Sequence, residues 1–334
     1  MGALIGIDLD YAADLLEQGK LVAIPTETVY GLAANGLNTE AVSGIFAAKN
    51  RPTFDPLILH VGSVAQAKSL CIEWPEAAEK LATAFWPGPL TLVLPKANHI
   101  PDLVTADHPT VAVRMPNNAM SLALLQRLSF PLAAPSANPF GYVSPTNAQH
   151  VFDQLGERID YILDGGPCAI GIESTIVSVD THNRVTVLRL GGLDLEALSE
   201  AVGHPLEESL SMHSNPQAPG QLDQHYSPGC AMIPFTNFPS SASHGEKDLA
   251  IGFLWFSEND REQHAGPTMP IGAKNYVLSA SGDDREAAMN LFGTLRQFDK
   301  DGCTQVFFTW APEMGLGRAI NDRLKRASAK STPH

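Results

Sequence analysis

Lys49 and Arg51 stand two residues apart in a stretch of chain with few other cations. An ammonium and a guanidinium at that spacing can grip one anion. The plainer reading is a helix end whose basic residues suit its dipole. Three other segments carry small polar groups behind a short apolar run. They are Ala23-Ile24-Pro25-Thr26-Glu27-Thr28-Val29-Tyr30-Gly31, Val111-Ala112-Val113-Arg114-Met115-Pro116 and Ala133-Ala134-Pro135-Ser136-Ala137-Asn138-Pro139. Each reads as a strand that closes in a turn. In open α/β sheets ligands collect beyond strand ends. Hydroxyls, an amide and an Arg placed there bind carboxylate or phosphate oxygens. Taken singly, Pro-Thr and Pro-Ser are ordinary turn chemistry. Together with Lys49-Asn50-Arg51 they point to a small anionic ligand.

Other chemistries lack their residues. No Gly-x-x-x-x-Gly-Lys-Ser/Thr loop is present, and no Gly-x-Gly-x-x-Gly follows a strand, so ATP would need another device. There is no Gly-x-Ser-x-Gly elbow, and Ser136 and Ser174 have no adjacent His. His-Glu-x-x-His and His-x-x-x-His are missing, which removes support for a zincin site. By residue type alone His60 reads as a satisfied core histidine, Tyr30 as core and Asn138 as a turn residue. Arg189 reads as the partner of a surface carboxylate, and Arg51 as an exposed loop cation contributing little to stability.

The elements that must position these groups alternate over the first 205 residues or so. A helix is expected over Asp10–Gln18, stopped by Gly19, then a buried strand over Leu21–Ile24. Thr39 reads as an N-cap, with Val42, Ile45, Phe46 and Lys49 at helical spacing and Pro52 as the stop. Further strands are expected over Leu57–Val61, Leu90–Leu94, Thr110–Val113, Pro131–Ala134, Ile159–Leu163, Thr175–Val179 and Val185–Leu190. Helices are expected over Pro75–Phe85 and, capped by Thr146, up to Leu155. This is a mixed α/β pattern without a repeating βαβ unit. Glu207 to Gly229 is rich in Ser, Asn, Gln, Pro and Gly and reads as a linker or lid. A smaller α/β unit follows, with strands over Leu249–Phe256, Asn275–Leu278 and Thr304–Thr309, helices over Asp284–Phe298 and Gly317–Ala329, and a loop at Ser240–Lys247. Arg318, Arg323, Lys325 and Arg326 on the last helix read as a solvated face.

The 334 residues carry 22 Lys+Arg against 36 Asp+Glu, a formal charge of −14. With 44% hydrophobic and 17% charged residues the composition is globular, not disordered. Length suggests two domains. Residues 1–210 hold 11 basic and 23 acidic residues, which disfavours direct binding of duplex or tRNA. No apolar run is long enough to span a bilayer, and the N-terminus lacks the features of a signal peptide. Cys71, Cys168, Cys230 and Cys303 are far apart, so a reduced, cytoplasmic protein is expected.

Pro25 to Leu32 resembles the signature of the YrdC-like family. Lys49-Asn50-Arg51-Pro52, Pro56-Leu57-Ile58-Leu59-His60, Trp86-Pro87-Gly88-Pro89-Leu90-Thr91 and Val113-Arg114-Met115-Pro116 follow in the family's order. Pro135-Ser136-Ala137-Asn138, Glu173-Ser174-Thr175-Ile176-Val177 and Arg189 continue it. Pro219-Gly220, His225-Tyr226-Ser227-Pro228 and Gly315 to Leu324 resemble the linker and last helix of its long, two-domain form. Members of that form are threonylcarbamoyl-AMP synthases.

The resemblance implies a fold and a reaction. The fold is a YrdC-like twisted mixed sheet with flanking helices over residues 1–205, a linker over 206–229, and a small Rossmann-like α/β domain over 230–330. The reaction joins L-threonine, bicarbonate or CO2 and ATP into threonylcarbamoyl-AMP and pyrophosphate, for threonylcarbamoyladenosine modification of tRNA. By similarity Thr28, His60, Arg114 and Ser174 hold threonine. Lys49, Arg51, Ser136 and Asn138 are the catalytic set. Thr110, Ser144, Arg189 and Tyr226 complete the ATP side with Lys49, Arg51 and Ser136, and Tyr226 closes over ATP from the linker. Mg2+ would accompany ATP, without a carboxylate cage readable in the sequence. A downstream tRNA threonylcarbamoyl-transfer enzyme is the implied partner. The linker departs from the family's basic pattern at Gln221-Leu222-Asp223-Gln224, which bears on how tightly it would hold ATP. Two other readings stand beside this one. One is a non-catalytic RNA-binding or ribosome-associated protein, and the other a carbamoyl-transfer enzyme with another acceptor.

Overall fold

The computed structural model describes residues 2–210, 226–238, 250–264, 266, 269–270 and 272–329. The chain divides into two units, Met1–Phe140 with Ser144–Leu222, and Gly141–Val143 with Asp223–His334. Pro219-Gly220, Gln221-Leu222-Asp223-Gln224, His225, the expected loop Ser240–Lys247 and Leu249 lie outside the described residues.

In the first unit the β-branched and aliphatic runs form β1 (Leu4–Gly6), β2 (Val22–Ile24), β3 (Gly31–Asn35), β4 (Ile58–His60), β5 (Leu90–Pro95), β6 (Thr110–Arg114), β7 (Leu132–Ala133), β8 (Tyr161–Leu163), β9 (Thr175–Val179), β10 (Val185–Arg189) and β11 (Glu207–Glu208). Their order in one mixed sheet is β1-β8-β2-β3-β7-β4-β6-β5-β9-β10-β11. β2 and β7 both run antiparallel to β3, and β4 runs antiparallel to β7 and parallel to β6. The ends of β2 and β7 therefore point one way and the end of β6 the other.

The helices are fixed by their caps. Asp8 accepts from the amides of Asp10 and Tyr11 and starts Leu9–Glu17. Asn38, not Thr39, caps Thr39–Lys49, and Asn147, not Thr146, caps Ala148–Leu155. In both cases an Asn side chain accepts from amides two or three residues on, a role that Asn and Thr both perform, so the neighbouring hydroxyl misleads. Glu207 and Glu208, which by composition belong to the linker, pair as β11 with Thr186 and Val187. β3 and the helix Ala119–Arg127 have no counterpart in the sequence reading.

Period-two alternation separates the faces of the central strands. Leu59, Val111, Val113, Leu90, Leu92, Leu94, Val177, Val179, Val185 and Val187 point into the main core, with the helices. On the opposite face Ile58, Ala112, Val93, Ile176 and Leu188 form a separate small cluster.

The second unit contains β12 (Ala231–Pro234), β13 (Ile251–Ser257), β14 (Lys274–Ser279) and β15 (Gln305–Phe308) in the order β12-β15-β13-β14, every pair parallel. Parallel neighbours need crossover connections. Glu258–His264 and Asp284–Lys300 supply two of them, as in doubly wound folds. The last helix, Gly317–Ser328, corrects an expectation. Lys325 is exposed, but Arg323 and Arg326 are buried. Asp322 faces both, at 3.2 and 3.0 Å, and the Arg323 guanidinium lies 5.3 Å from the ring centroid of Tyr226. A guanidinium over an aromatic face is attracted by the ring quadrupole, which keeps this cation inside. Among the described residues no helix is long and apolar enough to cross a membrane.

Candidate active site

The face that carries the small apolar cluster also carries most of the polar candidates. His60 shares parity with Ile58, Arg114 and Thr110 with Ala112, Thr91 with Val93, and Ser174 with Ile176. Register sets His60 beside Arg114, and Thr91 follows antiparallel to it on β5. A polar row thus runs across β4, β6 and β5 along one border of an apolar floor. At about 4.8 Å per strand, four strand steps separate β2 from β6 by roughly 19 Å on a flat sheet. Yet Glu27, three residues beyond β2, lies 2.8 Å from Arg114 at the end of β6. The loop 25–30, which follows β2, thus brings Glu27 to Arg114.

Arg189 reaches this face through a bulge. Val185 and Val187 point into the core, so period two would send residue 189 there as well. The β10–β9 register shifts between Val187 and Arg189, and Arg189 pairs with Ile176. The extra residue turns the guanidinium outward, a known use of bulges. It donates to the Ser174 carbonyl at 2.9 and 3.1 Å and to the Ser174 hydroxyl at 3.0 Å. Thr91 Oγ1 lies 2.8 Å from Ser174 Oγ. Close behind them is Gly191, where an added Cβ would stand 2.3 Å from the Ser174 carbonyl carbon.

Arg51 and Arg114 each face a buried carboxylate. Arg51 pairs with Asp55 at 2.9 Å and donates to the carbonyls of Asp55 and Pro56. Burial raises the Asp55 pKa, while Arg51, Lys49 and Arg189 pull it down. Arg51 is therefore no exposed loop cation: the fully buried Asp55 draws it inward. Arg114 faces Glu27 and also donates to the Gly88 carbonyl at 3.3 Å. Burial, reinforced by the Arg114 charge, lowers the His60 pKa to about 3, so its imidazole is neutral. Lys49 is fully buried and donates to the carbonyls of Ser136 and Asn138, tying that loop to the helix Thr39–Lys49. Burial and the neighbouring Arg51 lower its pKa.

The remaining candidates divide. Thr28 is buried, its hydroxyl 2.8 Å from that of Thr26. Ser144 donates to Glu173 at 2.5 Å. Asn138 donates to the Pro139 carbonyl at 2.9 Å. Thr110 opens β6 on the same face as Arg114. Tyr30, read as core, is buried with its hydroxyl donating to the Gly166 carbonyl at 2.7 Å. Tyr226 belongs to the second unit, where its fully buried ring stacks on Phe292 at 5.5 Å. Its φ of 64° is a left-handed conformation seldom adopted by a large residue.

A family model described as telomere recombination, covering Sua5, YciO and YrdC, matches residues 14–191. The threonylcarbamoyl-AMP synthase of Pyrococcus abyssi is 40% identical over 325 residues, spanning 95% of this chain and 93% of its own. That of Bacillus subtilis is 38% identical, spanning 95% and 92%. The chain belongs to the threonylcarbamoyl-AMP synthase family. A second model, the C-terminal domain of threonylcarbamoyl-AMP synthase, matches residues 193–329. The crystal structure of P. abyssi Sua5 complexed with L-threonine superposes with a TM-score of 0.86 at 36% identity, covering 98% of each chain. The two-domain synthase fold implied by the resemblance is thus present, mixed sheet and second α/β unit alike.

Four groups at this candidate site were not among the expected site residues. Glu27 and Asp55 face the two arginines, Thr91 meets Ser174, and Glu173 accepts from Ser144. All four lie inside or beside the quoted motifs. A carboxylate four residues after Arg51, just ahead of an apolar strand, was the available signal for Asp55.

Proposed function

We propose that this chain makes threonylcarbamoyl-AMP and pyrophosphate from L-threonine, bicarbonate or CO2 and ATP on the polar face of its first unit. The product serves threonylcarbamoyladenosine modification of tRNA. The observation that carries this reading is the gathering of Arg114, His60, Thr91, Ser174 and Arg189 on one face, around an apolar floor. No side-chain nucleophile is required. The threonine nitrogen takes up CO2 or bicarbonate as a carbamate. A carbamate oxygen then attacks the α-phosphorus of ATP and pyrophosphate leaves. Catalysis of that kind is positioning plus stabilisation of charge.

In this reading Arg114 takes the threonine carboxylate, with Thr28, His60 and Ser174 around the substrate. The guanidinium's planar fork suits a carboxylate. Arg51 and Lys49 meet the phosphates. Lys49 spends two donors on the Ser136 and Asn138 carbonyls and keeps one for an oxygen, which fits a role in shaping the Ser136–Asn138 loop beside the phosphates. Thr110, Ser144 and Arg189 serve the nucleotide side, whose base and ribose rest on the apolar floor. Mg2+ enters with ATP. An ion carried in by ATP would be held mainly by phosphate oxygens and water. Bound there, it would shield phosphate charge.

The product is a labile mixed anhydride, so a tRNA threonylcarbamoyl-transfer enzyme is its consumer. Cytoplasmic residence follows from that role and fits four free cysteines. Incubation with ATP, L-threonine and bicarbonate tests the reading: pyrophosphate release should require threonine. Release at the same rate without threonine sinks it.

A further inference from the structure

Threonine reaches any enzyme near neutral pH mainly as its ammonium form, because α-amino groups titrate at roughly pH 8 or above. An ammonium has no lone pair and cannot attack CO2 or bicarbonate. A synthase site therefore needs a group that accepts a proton beside the substrate nitrogen. Several other titratable groups lie at the site, among them Glu173, which accepts from Ser144. His60 already has Nδ1 turned to the Ile58 carbonyl at 3.3 Å, and burial keeps its imidazole neutral. Burial, with Glu27 as the next cause, pushes the Cys168 thiol up to about 12, so it is already protonated. Lys49 is committed to backbone carbonyls and Asp55 faces Arg51.

Glu27 is different. It is buried at 7% exposure between Thr26 and Thr28, and its carboxylate meets Arg114 at 2.8 Å. Neither of its oxygens accepts a hydrogen bond from a described group. A buried carboxylate without hydrogen bonds is costly and calls for a donor that the chain itself does not supply. The Glu27–Arg114 pair is also the charge image of an amino acid: a cation for its carboxylate and an anion for its ammonium. Exchanging one internal ion pair for two pairs with a zwitterion keeps the buried charge balanced.

We propose that Glu27 binds the ammonium of threonine and takes its proton, freeing the amine for carbamate formation. This rests on the synthase reading above. The ammonium gives its proton to the carboxylate, yielding the amine and a neutral carboxylic acid. The amine lone pair then forms the N–C bond to bicarbonate, whose hydroxyl leaves as water with one of the nitrogen's protons. Glu27 returns its proton to solvent when product leaves.

The test is the pH profile of kcat/KM for threonine. In Glu27→Gln, which keeps the shape but accepts no proton, activity should fall at neutral pH. It should then climb about tenfold per pH unit toward the amine pKa, while the parent enzyme stays level. A Glu27→Gln profile parallel to that of the parent overturns the proposal. If that variant does not fold, the parent enzyme still decides. 3-Hydroxybutanoate, which is threonine without its amine, should inhibit at least about tenfold more weakly than threonine binds. Inhibition as tight as threonine binding overturns it. A parent enzyme that releases pyrophosphate without needing threonine sinks the synthase reading itself, which separates the two failures.

Discussion

Two arginines of this site are committed to carboxylates before a substrate arrives, and that changes what their removal does. Arg51→Ala removes the proposed phosphate ligand and also strands Asp55, which is fully buried. Breaking one side of a buried pair costs about 3–5 kcal/mol. The variant should therefore lose both activity and stability. Arg51→Ala with Asp55→Asn should recover most of the stability and none of the activity. Urea melts beside pyrophosphate release check this, and an Arg51→Ala melt matching the parent would contradict the burial argument. His60 acts on stability through its own titration. Folding lowers its pKa from the ordinary 6.5 to about 3. The unfolded chain thus binds a proton that the folded chain refuses as pH falls below 6.5. Stability drops through that window by at most about 1.4 kcal/mol per pH unit, and His60 has no such effect above it. His60→Gln should flatten the acid slope, as read from unfolding midpoints between about pH 7 and pH 5.

Among the elements, the bulge in β10 and the glycine after it matter most. Gly191 lets residues 189–192 run against the backbone of Glu173 to Thr175, where its absent Cβ would stand 2.3 to 2.4 Å from main-chain atoms. Gly191→Ala should push Ser174 away from Thr91 and Arg189. A displacement near 1 Å costs on the order of a hundredfold in rate, so kcat/KM for threonine should fall by about that factor. Steady-state kinetics with threonine varied would show it, and a parent-like value would mean that Ser174 does not position substrate. The strands around Ile58, Thr110 and Thr175 were legible because short β-branched runs between turn residues have few other fates. The helix caps slipped by one residue because adjacent Asn and Thr offer the same acceptor. Arg189 could be named from its motif but not placed, since a bulge inverts parity without changing composition. Glu27 was invisible as the partner of Arg114, because two distant motifs leave no trace of their pairing in local spacing, whereas Asp55 stands four residues after Arg51.

At the scale of the molecule, charge and sheet order carry the argument. Residues 1–210 hold 23 acidic residues against 11 basic, and several of the basic ones are buried at the site. Little cationic surface remains for a polyanion. Filter binding with tRNA should show no specific retention at physiological salt and no steep loss of retention as salt rises. Salt-sensitive affinity would instead favour an RNA-binding role. The sheet has one more consequence. Its polar face joins β4, β6 and β5 to β9 and β10, so strands from residues 58–60 and 90–95 must wait for those at 175–179 and 185–189. Such distant pairings form slowly. During synthesis Ser174 and Arg189 therefore join His60, Thr91 and Arg114 only after nearly the whole first unit has emerged. A chain cut short before residue 174 would carry the row on β4, β6 and β5 without the hydroxyl and guanidinium that complete it.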